Sequence, residues 1–144
     1  MKRCFKVLCF VMSLVMICSS FSVTAKATEV RASDYFMSHS TYLWKVSGMT
    51  FQVWFDVTAV GTMTELGVRD IQIQRSTDNN TWTTVRTYNK AGYSQMTCAN
   101  TSTHVDCVTY TGSTGYYYRA LVTFYARNSS GTGILYRYTD TFKY

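Results

Sequence analysis

Two cysteines, a histidine and an aspartate stand close together in the segment CANTSTHVDC, and such side chains can bind metals or carry redox chemistry. They are Cys98, His104, Asp106 and Cys107. A structural zinc site needs four converging ligands, usually with a C-x2–4-C pair, and thiol redox centres use C-x-x-C. Neither spacing is present, and on a strand Cys107 would face away from His104 and Asp106. The segment therefore predicts no metal site and no cofactor.

The same two cysteines predict a disulfide. If residues 93–98 and 104–110 form a hairpin that turns near Ser102, then Cys98 and Cys107 face each other across it. An even pair of cysteines in an exported chain is typical of a disulfide. A bridge closing so short a loop would stabilise the fold by about 2–3 kcal/mol in the chain-entropy model.

The segment STDNNTW places Ser76, Asp78, Thr81 and Trp82 between two runs of strand-forming residues. It is one residue shorter than the S-x-D-x-G-x-T-W box of sialidases and lacks its glycine. A calcium loop would need further acids, and the next acid along the chain is Asp106. Because Asp and Asn tolerate left-handed φ and hydrogen-bond their own backbone, we expect a plain hairpin turn here.

Catalytic signatures are sparse in this chain. The two histidines are His39 and His104, and no serine lies in a G-x-S-x-G elbow. The acids are isolated, without the close pairs that glycoside hydrolysis uses. We therefore predict that the protein is not an enzyme. A hydrolase assembled from distant residues is the less favoured alternative.

Aromatic residues alternate with arginine and threonine along residues 116–127. One face of this predicted strand carries Tyr117, Arg119 and Tyr125, and Trp54 lies at the outward parity of an earlier strand. Such side chains stack on sugar rings or anchor protein partners. Tyr and Thr are also ordinary strand residues, so an unremarkable exposed sheet fits the same pattern. We take these four residues as the candidate binding face, although Trp54 need not join the other three.

The first 27 residues are typical of a cleaved secretory signal peptide. Basic residues precede a twelve-residue apolar run, 7–18, and an A-x-A pattern ends at Ala27. As a helix the run rises only about 18 Å, too little to span a bilayer. Cleavage would leave 28–144 with ten basic and eight acidic residues, a net charge of +2. The scattered basic residues predict no nucleic-acid partner, and no second apolar run predicts a stable membrane anchor after cleavage.

Period-two alternation dominates residues 28–144, which we expect to form one domain. The inward residues of the three clearest runs are Phe51, Val53, Phe55, Val57 and Ala59; Ile71 and Ile73; and Tyr116, Tyr118, Ala120, Val122, Phe124 and Ala126. Further strand candidates are 34–45, 81–88, 93–98, 104–110 and 133–142. TMTELG (62–67) hints at a helical turn. About seven or eight short strands predict an all-β, antiparallel sandwich.

Two segments resemble known β-sandwich families. IQIQRSTDNNTWTTVRT is similar to the C-to-C′ hairpin of fibronectin type III-like domains, and YTGSTGYYYRALVTFYAR resembles the F strand of immunoglobulin and fibronectin-type sandwiches. Gly61-Thr62-Met63, together with Asn100, His104 and Tyr110 to Ala120, resembles a family of small secreted proteins of Gram-positive bacteria. These resemblances imply a single immunoglobulin/fibronectin III-like sandwich and export, but no particular activity. The Cys98–Cys107 pair is not a feature of that family.

Together these features predict a secreted, extracellular, non-catalytic β-sandwich that acts as a binding or envelope-associated module. Its expected partner is a cell-wall glycan or a surface protein. A secreted antagonistic, toxin-like factor is the alternative, favoured by small size, export and a mildly basic surface.

Overall fold

The computed structural model describes residues 34–144, which form seven antiparallel β-strands and one short 3-10 turn. The strands are β1 (Phe36–Ser47), β2 (Thr50–Ser76), β3 (Thr83–Asn89), β4 (Thr97–Thr111), β5 (Tyr117–Asn128), β6 (Gly131–Tyr138) and β7 (Phe142–Lys143), and the 3-10 turn is Ser94–Met96. The prediction of an all-β, antiparallel chain is confirmed. The predicted signal peptide, residues 1–27, lies outside the described residues.

Strand β2 is 27 residues long and pairs with four other strands. Its first half pairs with β1 on one side and β4 on the other. The pairing with β4 continues to Gly67, and the second half also pairs with β3 and β5. β5 in turn pairs with β6 and β7. The pairing with β4 shifts register between Thr58 and Met63. We call β1 and β4 the first group of strands, and β3, β5, β6 and β7 the second group.

The buried residues follow the alternation of the sequence. Phe51, Val53, Phe55, Val57 and Ala59 are buried in the first half of β2, as are Ile71 and Ile73 in the second half and Tyr118, Ala120, Val122, Phe124 and Ala126 in β5. These inward faces were predicted correctly because a strand places every second side chain on the same side. Full burial of each large apolar side chain contributes about 1.5–3 kcal/mol.

The two groups of strands share one core. The Phe51 ring, near the start of β2, lies with its centroid 5.4 Å from that of Tyr118 on β5 and 5.0 Å from that of Phe142 on β7. The Tyr88 hydroxyl of β3 donates a 2.7 Å hydrogen bond to the carbonyl oxygen of Thr109 on β4. Contacts between the two groups therefore tie both ends of β2 together.

The segment TMTELG is strand rather than a helical turn, so that prediction was wrong. Met63 and Leu66, three residues apart, are both buried, a spacing that imitates a helix, but both lie in β2. Ala59 and Met63 share the inward parity of the first half of β2, and the parity changes between Met63 and Leu66. Gly67 adopts φ 150, and a Cβ there would overlap the carbonyl oxygen of Met96, so the strand can pass this close only with glycine.

The predicted hairpin of residues 93–98 and 104–110 does not form. Residues 97–111 are the single strand β4, because they pair along β2, with Cys98 opposite Leu66 and Cys107 opposite Trp54. A strand rises about 3.3 Å per residue, whereas a disulfide needs Cα atoms within about 7 Å. Both cysteines are free, and the predicted Cys98–Cys107 disulfide was wrong.

Candidate functional site

The outward face of β5 carries three of the four predicted binding residues, but they are unequally accessible. Tyr117 and Arg119 are half-buried, whereas Tyr125 is only 8 % exposed. The Lys90 ammonium covers the Tyr125 ring at 4.0 Å from the centroid and donates a 2.7 Å hydrogen bond to Glu65 Oε1. Tyr125 is therefore a packing residue beneath an ion pair, with little surface for a ligand.

Arg119 lies between two aromatic rings. Its guanidinium carbon is 4.2 Å from the Trp82 ring centroid and 4.3 Å from that of Tyr138, and its Nε donates a 2.8 Å hydrogen bond to Gln74 Oε1. Gln74 faces Arg119 directly across β2 and β5, so the sheet register sets this bond. Each ring stabilises the Arg119 guanidinium through a cation–π interaction. These contacts also hold the side chain in one rotamer before any partner binds. We call Trp82, Arg119 and Tyr138 the Arg119 stack.

Further aromatic side chains surround the Arg119 stack on the same face. Tyr136 and Tyr138 lie opposite Thr123 and Leu121 across β5 and β6, and remain 56 % and 53 % exposed. The Lys143 ammonium lies 4.8 Å from the Tyr117 ring centroid. We call the Arg119 stack together with Tyr117 and Tyr136 the stack face. It combines exposed rings with a guanidinium that is already held in place.

Polar groups near the centre of this face are paired with one another. Thr123 Oγ1 donates to Asp70 Oδ1 at 2.8 Å, and Arg69 Nε donates to Asp70 Oδ2 at the same distance. The hydrogen bond with Asp70 is the main cause that raises the pKa of Arg69. Asp70 is thus occupied within the protein, and the rings and Arg119 dominate what the face offers to a partner.

Trp54 lies in the first half of β2, between β1 and β4. Its ring is nearly parallel to that of Tyr42 on β1, with centroids 6.4 Å apart and an interplanar angle of 5°, and its Nε1 donates to Gln52 Oε1 at 3.0 Å. Trp44, also on β1, is 61 % exposed. The structure therefore does not bring Trp54 together with Tyr117 and Arg119.

Trp82 is the site residue that sequence reasoning missed. It follows the turn 76–81, in which Asp78 Oδ1 accepts hydrogen bonds from Ser76 Oγ at 2.7 Å and from the Thr81 backbone N–H at 2.8 Å. Asn79 has φ 60, so the expected turn chemistry is confirmed. The bond from the Thr81 N–H, followed by that from Ser76, holds the pKa of Asp78 far below its usual range. A tryptophan directly after such a turn was the available signal.

The cluster of cysteine, histidine and aspartate is spread along β4. His104 Nε2 lies 2.9 Å from the carbonyl oxygen of Gln95, and Asp106 Oδ1 accepts a 2.7 Å hydrogen bond from the Cys107 backbone N–H. Burial is the main cause that raises the pKa of the Cys107 thiol. Within residues 34–144, no three side chains of His, Cys, Asp or Glu are grouped so that they could hold a metal ion.

No protein family model, no curated protein and no solved structure matches this chain. Between Asp34 and Tyr144, no helix has the length and apolar character needed to cross a membrane.

Proposed function

We propose that this protein is a non-catalytic binding module that acts outside the cell and contacts its partner through the stack face. The main support for this proposal is the position of Arg119. Its guanidinium stacks between Trp82 and Tyr138 and is hydrogen-bonded to Gln74. Tryptophan, tyrosine and arginine dominate binding hot spots, and a side chain fixed before binding loses less entropy when the partner arrives.

The favoured partner is a glycan of the cell envelope. Tyr138 and Tyr136 remain more than half exposed, and exposed rings of this kind can stack on the apolar face of a sugar. Hydroxyl and amide groups from Thr84 and Gln72 lie on the same face of β2 and β3, where they can hydrogen-bond sugar hydroxyls. A surface protein is the other outcome of the test.

We further propose that the strands form a sandwich of the fibronectin type III kind. The pairing supports it: the second half of β2 pairs with β3 and β5, as strands C, C′ and F would, and the first half does not pair with β5. Tyr118, near the start of β5, supports it too, because its hydroxyl accepts a 2.8 Å hydrogen bond from the Ser113 N–H upstream. That contact resembles the tyrosine corner of such domains.

Export belongs to the same proposal and rests on the sequence of residues 1–27, with its basic start, short apolar run and A-x-A end. Mass spectrometry of the protein recovered from the medium of its host checks this part. A mature N-terminus at Thr28 supports it. Recovery only from the cytoplasm with the N-terminus intact would overturn it.

The function is tested by measuring binding of the purified protein to cell-wall preparations and to a glycan panel. Trp82→Ala and Tyr138→Ala should each weaken binding by about tenfold or more, as truncation of a hot-spot ring does. Trp44→Ala is the control, because it removes an exposed ring from β1, outside the stack face, and should leave affinity unchanged.

Two results would contradict the glycan proposal. One is equal binding by the wild type and both stack-face variants. The other is no saturable binding by the folded wild type to any glycan, which would direct the search to surface proteins. Circular dichroism and thermal melting of each variant separate a lost contact from a lost fold.

A further inference from the structure

A small polar pocket lies beside the turn that joins β2 to β3. It has a volume of about 240 Å³ and is lined by Arg75, Ser76, Thr77, Thr81, Thr83 and Tyr116. Pockets for drug-sized ligands measure about 300–1,000 Å³, so this one admits a chemical group or a very small molecule rather than a large ligand. Its lining combines one guanidinium, one phenol ring and four hydroxyls.

The guanidinium of Arg75 has no acidic partner among the described residues. It stacks on the Tyr116 ring, with 4.6 Å from the guanidinium carbon to the ring centroid. The ion pairs in this part of the chain join Arg69 to Asp70, and Lys90 and Arg127 to Glu65. Arg75 therefore keeps its hydrogen-bond donors available while one face of its planar group is held by a ring.

The only acid of the adjoining turn is committed to the turn itself. The Asp78 carboxylate accepts hydrogen bonds from Ser76 Oγ, from the backbone N–H groups of Asn80 and Thr81, and from Thr81 Oγ1. These bonds fix the carboxylate against its own loop instead of against Arg75. The pocket lining thus contains a positive charge and hydroxyl donors, and no carboxylate.

We infer that this pocket binds an oxyanion group, a carboxylate or a tetrahedral phosphate or sulfate, held by Arg75 and the hydroxyls of Thr77 and Thr83. An arginine fork matches two oxygens of such a group, and bonds between ionised partners are stronger than neutral ones. Thr77 and Thr83 supply further O–H donors. Acidic sugars and free inorganic anions share this chemistry, and the experiment distinguishes them.

The oxyanion pocket and the stack face have no residue in common. Arg75 lies opposite Tyr118, whose side chain points into the core. Arg119 lies opposite Gln74, and both side chains are on the outward face of the sheet. Loss of one binding activity therefore need not remove the other, and the pocket goes beyond the function proposed above.

The test is an NMR titration of the ¹⁵N-labelled purified protein at constant ionic strength, in a buffer without phosphate. Sodium glucuronate, sodium phosphate and sodium sulfate are added in separate arms, and glucose is the uncharged control. We expect saturable shifts at the amides of Thr77, Thr81 and Thr83 with at least one oxyanion, at a Kd of about 10 mM or below. Shifts with glucuronate alone assign an acidic sugar, and shifts with phosphate or sulfate assign the anion in general.

Variants then test whether the Arg75 guanidinium binds the oxyanion. Arg75→Gln should weaken binding at least tenfold, and Arg75→Lys should weaken it less because the charge remains while the planar fork is lost. Arg127→Gln is the charge-matched control, since it lies at the far end of β5 and is exposed. It should bind as the wild type does.

Three results would overturn the inference. They are the absence of saturable shifts with every oxyanion, undiminished binding by Arg75→Gln, and equal shifts with glucose and glucuronate. Amide spectra of the variants that keep the wild-type pattern away from the pocket establish that the fold is intact.

Discussion

Ser76 Oγ donates a 2.7 Å hydrogen bond to Asp78 Oδ1, so the last residue of β2 is tied to the turn that follows it. The same carboxylate oxygen accepts the backbone N–H groups of Asn80 and Thr81. One ionised side chain therefore closes the turn and sets the direction in which Trp82 leaves it.

Asp78→Asn should lower the melting temperature in a pH-dependent way. The folded pKa of Asp78 is depressed, first by the Thr81 N–H and then by Ser76, so its stabilisation is complete above the unfolded pKa near 3.8. It is lost as pH falls through the folded pKa. Thermal melts should show a clear difference between variant and wild type at pH 6, and a smaller one at pH 2.5. Asp140→Asn, at an exposed position, is the control. A difference that does not change with pH would contradict the prediction.

Gly67→Ala should destabilise the fold by about 2–4 kcal/mol, the combined cost of backbone strain and overpacking. Gly67 has φ 150, and an added Cβ would meet the backbone oxygen of Met96. Gly48→Ala is the matched control: its φ of 52 is also left-handed, but nothing lies within 4 Å of the added carbon. It should cost about 1–2 kcal/mol. Urea unfolding measures both, and equal losses would show that the close approach at Gly67 is unimportant.

Removal of a single hydroxyl should have different effects at two buried tyrosines. The Tyr35 hydroxyl is buried and has no hydrogen-bond partner within residues 34–144, so Tyr35→Phe should leave the free energy of unfolding unchanged or raise it. The Tyr118 hydroxyl accepts the Ser113 N–H, so Tyr118→Phe should lower it by about 1 kcal/mol. Chemical denaturation of the two variants and the wild type measures both changes in the free energy of unfolding. A larger loss at Tyr35 than at Tyr118 would refute this assignment.

Cys98 and Cys107 should both react with iodoacetamide when the purified protein is unfolded without reductant. In the native protein Cys98 should react faster, because it is exposed, whereas burial and then Asp106 raise the pKa of the Cys107 thiol. Peptide mapping after timed alkylation measures each rate. A peptide pair linked through Cys98 and Cys107 would instead restore the disulfide.

The strands could be predicted from the sequence because alternation is a local signal. A few alternating apolar residues are enough to indicate a buried face, as Phe51 and Val53 do in one segment and Ile71 and Ile73 in another. Pairing is a long-range property, and there prediction was wrong. Residues 97–111 have turn-forming residues at their centre, yet pairing with the distant β2 extends them into one strand.

The candidate site was predicted only in part, because alternation along a strand is local whereas contacts between strands are long-range. Parity placed Tyr117 and Arg119 on the outward face of β5. Nothing local indicated that Lys90, from the loop after β3, would cover Tyr125, or that Trp82 would pack on Arg119. Both contacts depend on how neighbouring strands align, which no single segment encodes.

The continuity of β2 bears on how the protein opens. Since the same strand pairs with β1, β3, β4 and β5, unfolding of β2 as a whole removes hydrogen bonds from all four strands at once. Subglobal opening that spares one half should therefore be rare, and amide protons at both ends of β2 should exchange with solvent through the same global event. Residues 34–144 are in this sense expected to open as one cooperative unit organised around a single strand.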